Sequence, residues 1–215
     1  MKNYFDLSEI PSITKNKDKL VEYANKDIQQ YLKELPSTEK TKLDIILDKD
    51  FIKMYYVAIR YTQAKGLPER DMDEIFNISV DSVEQNHENG SGLRAKEIQE
   101  LVDMNYYPIT TPFFENTLSL IPSFAHSSWI IFYKQGAIVH PHDHDDTTIL
   151  IHILLEDITD GEFIIDVKGE KKTLTKKGEF FIFCGGNTHS ALFTGHEAKF
   201  ITISIEHNNI NDLEV

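Results

Sequence analysis

GAIVHPHDHDDTTILIHI, residues 136–153, is the stretch around which the chain is organised. Three histidines fall there at alternate positions, His140, His142 and His144. In an extended strand alternate side chains share a face. The three imidazoles are therefore expected to converge, with Asp143 and Asp145 turned away and Asp146 returning to the histidine face. A second stretch, Gly186–His189 (GNTH), supplies one more histidine 45 residues after His144. A His/Asp face joined by a distant histidine suits a divalent metal whose coordination sphere is partly open. The bland alternative is a solvated, histidine-rich strand end that holds nothing.

Working outward, the chain from Ser127 reads as short β-branched and aromatic runs separated by turn signals. The runs are Trp129–Tyr133, Ile138–His144, Thr148–Leu155, Glu162–Val167, Lys171–Thr175, Glu179–Phe183, Ser190–Phe193 and Phe200–Ile205. Gln135-Gly136, Thr159-Asp160-Gly161, Lys168-Gly169-Glu170 and Lys177-Gly178 break them. Eight short strands at this spacing predict a jelly-roll barrel or double-stranded β-helix.

Before this region the pattern is helical. Residues 1–13 read as irregular, and Leu20, Val21, Ala24, Ile28, Tyr31, Leu32 and Leu35 mark an amphipathic helix over Asp18–Leu35, ended by Pro36. Ser37 and Thr38 are candidate caps for a second helix over Glu39–Lys65, stopped by Gly66-Leu67-Pro68. A helical turn is expected at Asp71–Phe76, a loop at Asn86–Gly92 and a third helix at Leu93–Asn105. The expected fold is thus mainly β with a helical N-terminal part: residues 1–107 helical and packed on the barrel, 108–207 the metal-binding double-stranded β-helix, 208–215 a tail.

The chain has 215 residues, 40% of them hydrophobic and 13 of them Phe, enough to fill one substantial core. A net charge of −13 opposes binding to a nucleic-acid backbone. One cysteine, Cys184, excludes an intrachain disulfide and fits a reducing compartment. No apolar run approaches a membrane span, and the N-terminus lacks the apolar core of a signal peptide, so a cytoplasmic protein is expected. Nothing in the sequence fixes the oligomeric state; a homodimer is compatible with it.

Non-haem iron enzymes that handle O₂ need two or three imidazoles, or imidazoles and one carboxylate, on one side of the metal. His142, His144 and His189 are the natural set. Of the other histidines, His87, His126, His196 and His207 read as surface groups, and Cys184 as a small buried residue with no base placed beside it.

Gly136-x5-His142-x-His144 together with Gly178-x5-Cys184-x-Gly186-x2-His189 resembles the two cupin motifs. Cys184 stands where cupins usually carry Pro, and no Glu follows His144 by three or four residues. Ile121–Glu206 also resembles the aspartyl/asparaginyl and proline hydroxylases, iron(II)/2-oxoglutarate oxygenases on a related barrel. The resemblance rests on Ala137–His142, Leu154–Asp157, Lys177–Phe183 and His189–Leu192. It implies Fe(II) as cofactor, 2-oxoglutarate and O₂ as cosubstrates, and a small-molecule or amino-acid-type substrate. It implies Lys199, ten residues after His189, as the partner of the 2-oxoglutarate carboxylate, where that family places Arg. His152 matches a histidine near the cosubstrate, although Leu150 replaces the nearby Arg.

That family's carboxylate ligand aligns with His144. Two ligand sets follow: three histidines, or a register shifted by two with His144, Asp146 and His189. Pro141-His142 and the six-residue step from Gly136 favour the unshifted set. Two other activities stay open: a three-His dioxygenase needing no 2-oxoglutarate, and a non-catalytic metal- or ligand-binding cupin.

Overall fold

The computed structural model describes residues 3–34, 54–61, 114–125, 127–143 and 148–206. Two antiparallel sheets face one another as a jelly roll, which is the architecture expected. Their strands are β1 (Met54–Tyr61), β2 (Ser127–Lys134), β3 (Ile138–His142), β4 (Thr148–Leu154), β5 (Phe163–Val167), β6 (Glu170–Leu174), β7 (Phe180–Cys184), β8 (His189–Phe193) and β9 (Glu197–Glu206). The order is β1-β2-β9-β4-β7 in the five-stranded sheet and β3-β8-β5-β6 in the other.

Each of the eight runs expected from Ser127 onward forms a strand. The correction lies upstream: residues 54–61, assigned to the helix Glu39–Lys65, form β1 and pair with β2. In MYYVAIRY, apolar residues at helical spacing are also apolar at alternate positions, and a run in which five of eight residues are aromatic or β-branched takes the extended form beside an open sheet edge. This strand precedes the expected boundary at residue 107. The expected elements at 39–53, 71–76, 86–92 and 93–105 lie outside the described residues.

The long helix does form, as α2 (Lys17–Glu34), preceded by a 3₁₀ turn at Leu7–Glu9 and the short α1 (Pro11–Thr14). A third helix, α3 (Glu115–Leu120), was not anticipated. Asp27 of α2 docks it, accepting hydrogen bonds from the Thr117 amide (2.9 Å), the Thr117 hydroxyl (2.6 Å) and the Asn116 amide group (2.9 Å). Among the described residues no helix is long and apolar enough to cross a membrane.

The five-stranded sheet is buried on both sides. Ile130, Phe132, Ile149, Ile151, Ile153, Ile182, Ile201, Ile203 and Ile205 meet Leu20, Val21, Ala24, Ile28 and Tyr31 of α2 and Phe114. Alternate residues of the same strands, Ile131, Tyr133, Leu154, Phe181, Phe183, Ala198 and Phe200, meet Phe163, Ile165, Val167 and Phe193 of the four-stranded sheet. Each full burial of such a side chain stabilises the fold by roughly 1.5–3 kcal/mol.

Two backbone details complete the barrel. Lys168 (φ 51°) and Gly169 (φ 85°) make the two-residue β5–β6 hairpin, whose twist needs both residues left-handed. At the β4–β5 and β8–β9 connections Gly161 lies against Gly195, where a Cβ on Gly161 would stand 2.4 Å from the Gly195 amide nitrogen. Hydrogen bonds from the His196 amide to Asp160 and from the Glu162 amide to the Thr194 hydroxyl (3.1 Å) interlock the two turns.

Candidate metal centre

The strand register divides the barrel interior into layers. Phe163, Phe193, Phe200, Leu154, Ile131, Tyr133 and Leu174 close one end, and all are buried. Their rings form one connected stack, with Tyr133–Phe163 centroids 4.8 Å apart and Phe163–Phe200 4.7 Å. In the next layer the cross-strand row is Trp129, Thr202, His152 and Phe181, opposite Val139, Ala191 and Ile165. The layer beyond holds Ser204, Leu150 and Phe183 opposite His142, His189 and Val167.

His142 reaches this layer through a bulge. Val139 pairs with Ala191 and His142 with His189, so three residues of β3 span the length of two on β8. An unbroken two-residue period from Val139 would bring Pro141, not His142, opposite His189. The extra residue transfers His142 to the inner face. Convergence of His140 and His142 by simple alternation is therefore corrected: the period breaks between Val139 and His142, while His144 lies outside the described residues. His140 contributes its backbone carbonyl instead.

The two opposed imidazoles have centroids 4.3 Å apart. Nδ1 of His142 lies 2.7 Å from the carbonyl oxygen of His140, and Nδ1 of His189 lies 2.8 Å from that of Asn187. A carbonyl only accepts, so each Nδ1 carries a proton, which leaves Nε2 as the ring nitrogen that can ligate a metal. A backbone carbonyl behind Nδ1 fixes both tautomer and ring orientation, the support that metal-binding histidines use. Phe183 packs against His189 at 4.5 Å and limits its rotation. The backbone turn after β7 creates the second support: the Asn187 amide bonds the Cys184 carbonyl, and Asn187 is buried beneath His189.

Two of the three expected ligands thus meet, and His144 and the alternative Asp146 lie outside the described residues. Among the described residues no group of three His, Cys, Asp or Glu side chains gathers. The donor set nevertheless fits a divalent transition metal, since two imidazoles, each held by a carbonyl at Nδ1, stand on facing positions of one strand pair.

The structure places Lys199 away from this pair. It neighbours Ala198 and Phe200, which point into the barrel, so it projects from the opposite face of the sheet. There its ammonium group binds Glu156 and Glu197, each at 3.1 Å. Burial lowers its pKa, but the hydrogen bond to Glu156 and the charges of Glu197 and Glu156 outweigh this and hold it above the ordinary value. Lys199, the expected partner of the 2-oxoglutarate carboxylate, is thus not brought together with the histidine pair.

His152 is an inner residue of the layer beneath the histidine pair. Its ring stacks on Phe181 (4.5 Å, 23° between planes), and its Nδ1 shares a 2.8 Å hydrogen bond with the Thr202 hydroxyl. Thr202 and Ser204 escaped sequence reasoning. Their signal was two hydroxyls at alternate positions of the otherwise apolar run FITISI. Cys184 is buried, as expected.

No family model matches the chain, and no curated protein matches it. Solved structures do. KdgF from a Halomonas species is 22% identical over 36% of this chain and 66% of its own, with a TM-score of 0.32. A cupin-like protein from Thermotoga maritima is 23% identical over 40% and 61%, with a TM-score of 0.32. The cupin domain of Schizosaccharomyces pombe Cnp3 is 16% identical over 42% and 63%, with a TM-score of 0.35. The chain therefore spans 61–66% of the length of these structures.

Proposed function

We propose that the histidine end of the barrel holds one divalent metal ion, iron(II), and that the protein is a cupin-type dioxygenase acting with O₂ on a small organic molecule. His142 and His189 are the ligands through Nε2. The third comes from the segment 144–147, as His144 or, in the shifted set, Asp146. The observation that carries this reading is the matched support of the two rings, each tied by Nδ1 to the carbonyl two residues before it. One such bond is common; two on facing histidines fix a pair of donors toward one point.

Bound iron would supply the redox and Lewis-acid chemistry that no side chain here provides. The chain's own residues do the rest. The carbonyls of His140 and Asn187 orient the ligands, Phe183 restrains His189, and the aromatic stack below seals the barrel against water. The reading leaves out 2-oxoglutarate, because Lys199 lies on the other face of the sheet, bound to two carboxylates.

Elemental analysis of protein loaded anaerobically with iron(II) tests the proposal. About one ion per chain is expected in the unaltered protein. His142→Ala and His189→Ala are expected to weaken binding at least a hundredfold, because each removes a direct ligand from a two-imidazole site. Lys199→Ala should retain the metal. Full metal content in both histidine variants would overturn the site. Succinate formed from 2-oxoglutarate, and lost in Lys199→Ala, would restore the 2-oxoglutarate-dependent reaction.

A further inference from the structure

The layer under the histidine pair is built differently from the one that closes the barrel, and the difference points to what the site binds. Trp129, Val139, His152 and Ala191 of this layer, and Leu150 of the histidine layer, all occupy inward registers, yet each is only partly buried. One layer further in, every inward residue of the same strands is fully enclosed. Space between the sheets thus opens at the histidine end and stops on the aromatic stack.

The groups lining that space are specific in kind. Trp129, the sole tryptophan of the chain, stands directly across from Thr202, and Thr202 directly across from His152. Hydroxyl and imidazole are joined by their 2.8 Å hydrogen bond, and the imidazole is held flat against Phe181. The pair is a fixed donor–acceptor unit beside an aromatic wall. Among the described residues the one cation at an inward register is Lys172, opposite Ile165 on β6. Its ammonium lies against the rings of Phe180 (4.8 Å) and Tyr4 (5.9 Å), at the seam between the sheets. Among the described residues a carboxylate in the barrel would meet no inward ammonium or guanidinium group other than Lys172, which is held against those two rings, and desolvating it unpaired is costly. The net charge of −13 opposes an anion further.

We infer that this layer is the substrate site of the proposed dioxygenase and that its substrate is a neutral, ring-sized molecule carrying a hydroxyl group. The ring packs between Trp129 and the Val139–Ala191 wall, and the hydroxyl bonds the His152–Thr202 pair. His152 and Thr202 are then the residues that determine specificity. The inference rests on the metal-centred reading only for the chemistry; binding itself needs the barrel and this pair.

Emission from Trp129 reports binding directly. Phenol, toluene and benzoate are titrated into the intact protein as isolated. Phenol should alter the emission saturably, binding about tenfold more tightly than toluene, which is the worth of one well-made hydrogen bond in a partly desolvated site. Benzoate should bind more weakly than phenol. His152→Ala and Thr202→Val should each erase the preference for phenol over toluene, and Thr202→Ser should keep it. Equal binding of phenol and toluene to the unaltered protein would overturn the proposal. So would tighter binding of benzoate, or an unchanged phenol preference in both variants. Iron content measured on the same samples separates the two readings. Wild-type iron with no phenol preference sinks the substrate site alone, whereas a phenol preference in protein that takes up no iron on anaerobic loading sinks only the metal centre.

Discussion

The two ends of the barrel are made by the same strands under the same alternation, yet they serve opposite purposes. At one end Phe163, Phe193, Phe200 and Tyr133, all buried, interlock through tilted and edge-on ring contacts, with Phe181 of the next layer against them. At the other, two or four residues further along, the inward positions carry His142, His189, His152, Thr202 and Ser204. Apolar packing stabilises the first end. The second is tolerated because its polar groups are bonded: His142 and His189 to carbonyls, His152 to Thr202. A polar site in a barrel therefore depends on a closed end that holds the strands in place without it.

The sharpest way to break this division is at the closed end. Phe200 is fully buried and touches the rings of Tyr133, Phe163 and Phe181. Phe200→Ala is expected to lower unfolding stability by about 3–5 kcal/mol, the transfer of the ring plus the cavity it leaves. Denaturant unfolding followed by Trp129 emission measures it. A loss under about 1 kcal/mol would mean that the aromatic stack does not anchor the barrel. Gly161→Ala attacks the same end through the backbone. Its methyl group would meet the Gly195 backbone, so the two interlocked turns must separate, at roughly 1–3 kcal/mol. An unchanged midpoint would show that the turns are free to part.

One strand contains both kinds of position side by side. Thr202 faces the open layer, and Ile203 faces α2. Ile203→Thr buries a hydroxyl among aliphatic side chains and is expected to cost about 1–3 kcal/mol. Thr202→Val, which keeps the shape and removes one bond, should cost about 1 kcal/mol or less. Paired unfolding curves decide it. The reverse order would mean that Thr202 is a structural member of the core and that the two layers do not differ.

That strand also shows what sequence could and could not convey. Eight strands were legible because alternating β-branched residues and Gly-containing turns are local signals. Which face of β9 looks inward was not. Ile201, Ile203 and Ile205 form a core stripe, but the core they fill is the helix-facing one. A sheet covered on both sides is apolar on both faces, so period alone does not tell barrel interior from helix interface. Lys199 was placed near the metal by the resemblance, from its spacing of ten residues after His189, and that spacing does not say which face of β9 it takes. His142 and His189 were legible as a pair, but the bulge that aligns them was not, since it depends on the pairing of β3 with β8. The segment 54–61 carried both periods at once, and only the neighbouring β2 decides between them.

The smallest expected effect tests the reassignment of Lys199. Burial alone raises the pKa of Glu197, but the hydrogen bond and charge of Lys134, with the charge of Lys199, outweigh it and bring the carboxyl below its ordinary value of 4.5. A depressed carboxylate contributes stability that is present above the ordinary value and is lost as pH falls through the folded one. Stability should therefore decline with acidification below about pH 4.5, more steeply in the unaltered protein than in Lys199→Ala, where Glu197 returns toward its ordinary value. The difference is expected to stay under about 1 kcal/mol, because Lys134 remains and the cluster is part-exposed. Thermal unfolding between pH 3 and 7 measures it. If Lys199→Ala instead leaves the acid limb untouched and changes iron content or phenol binding, the lysine acts inside the barrel, and the two faces of β9 have been assigned the wrong way round.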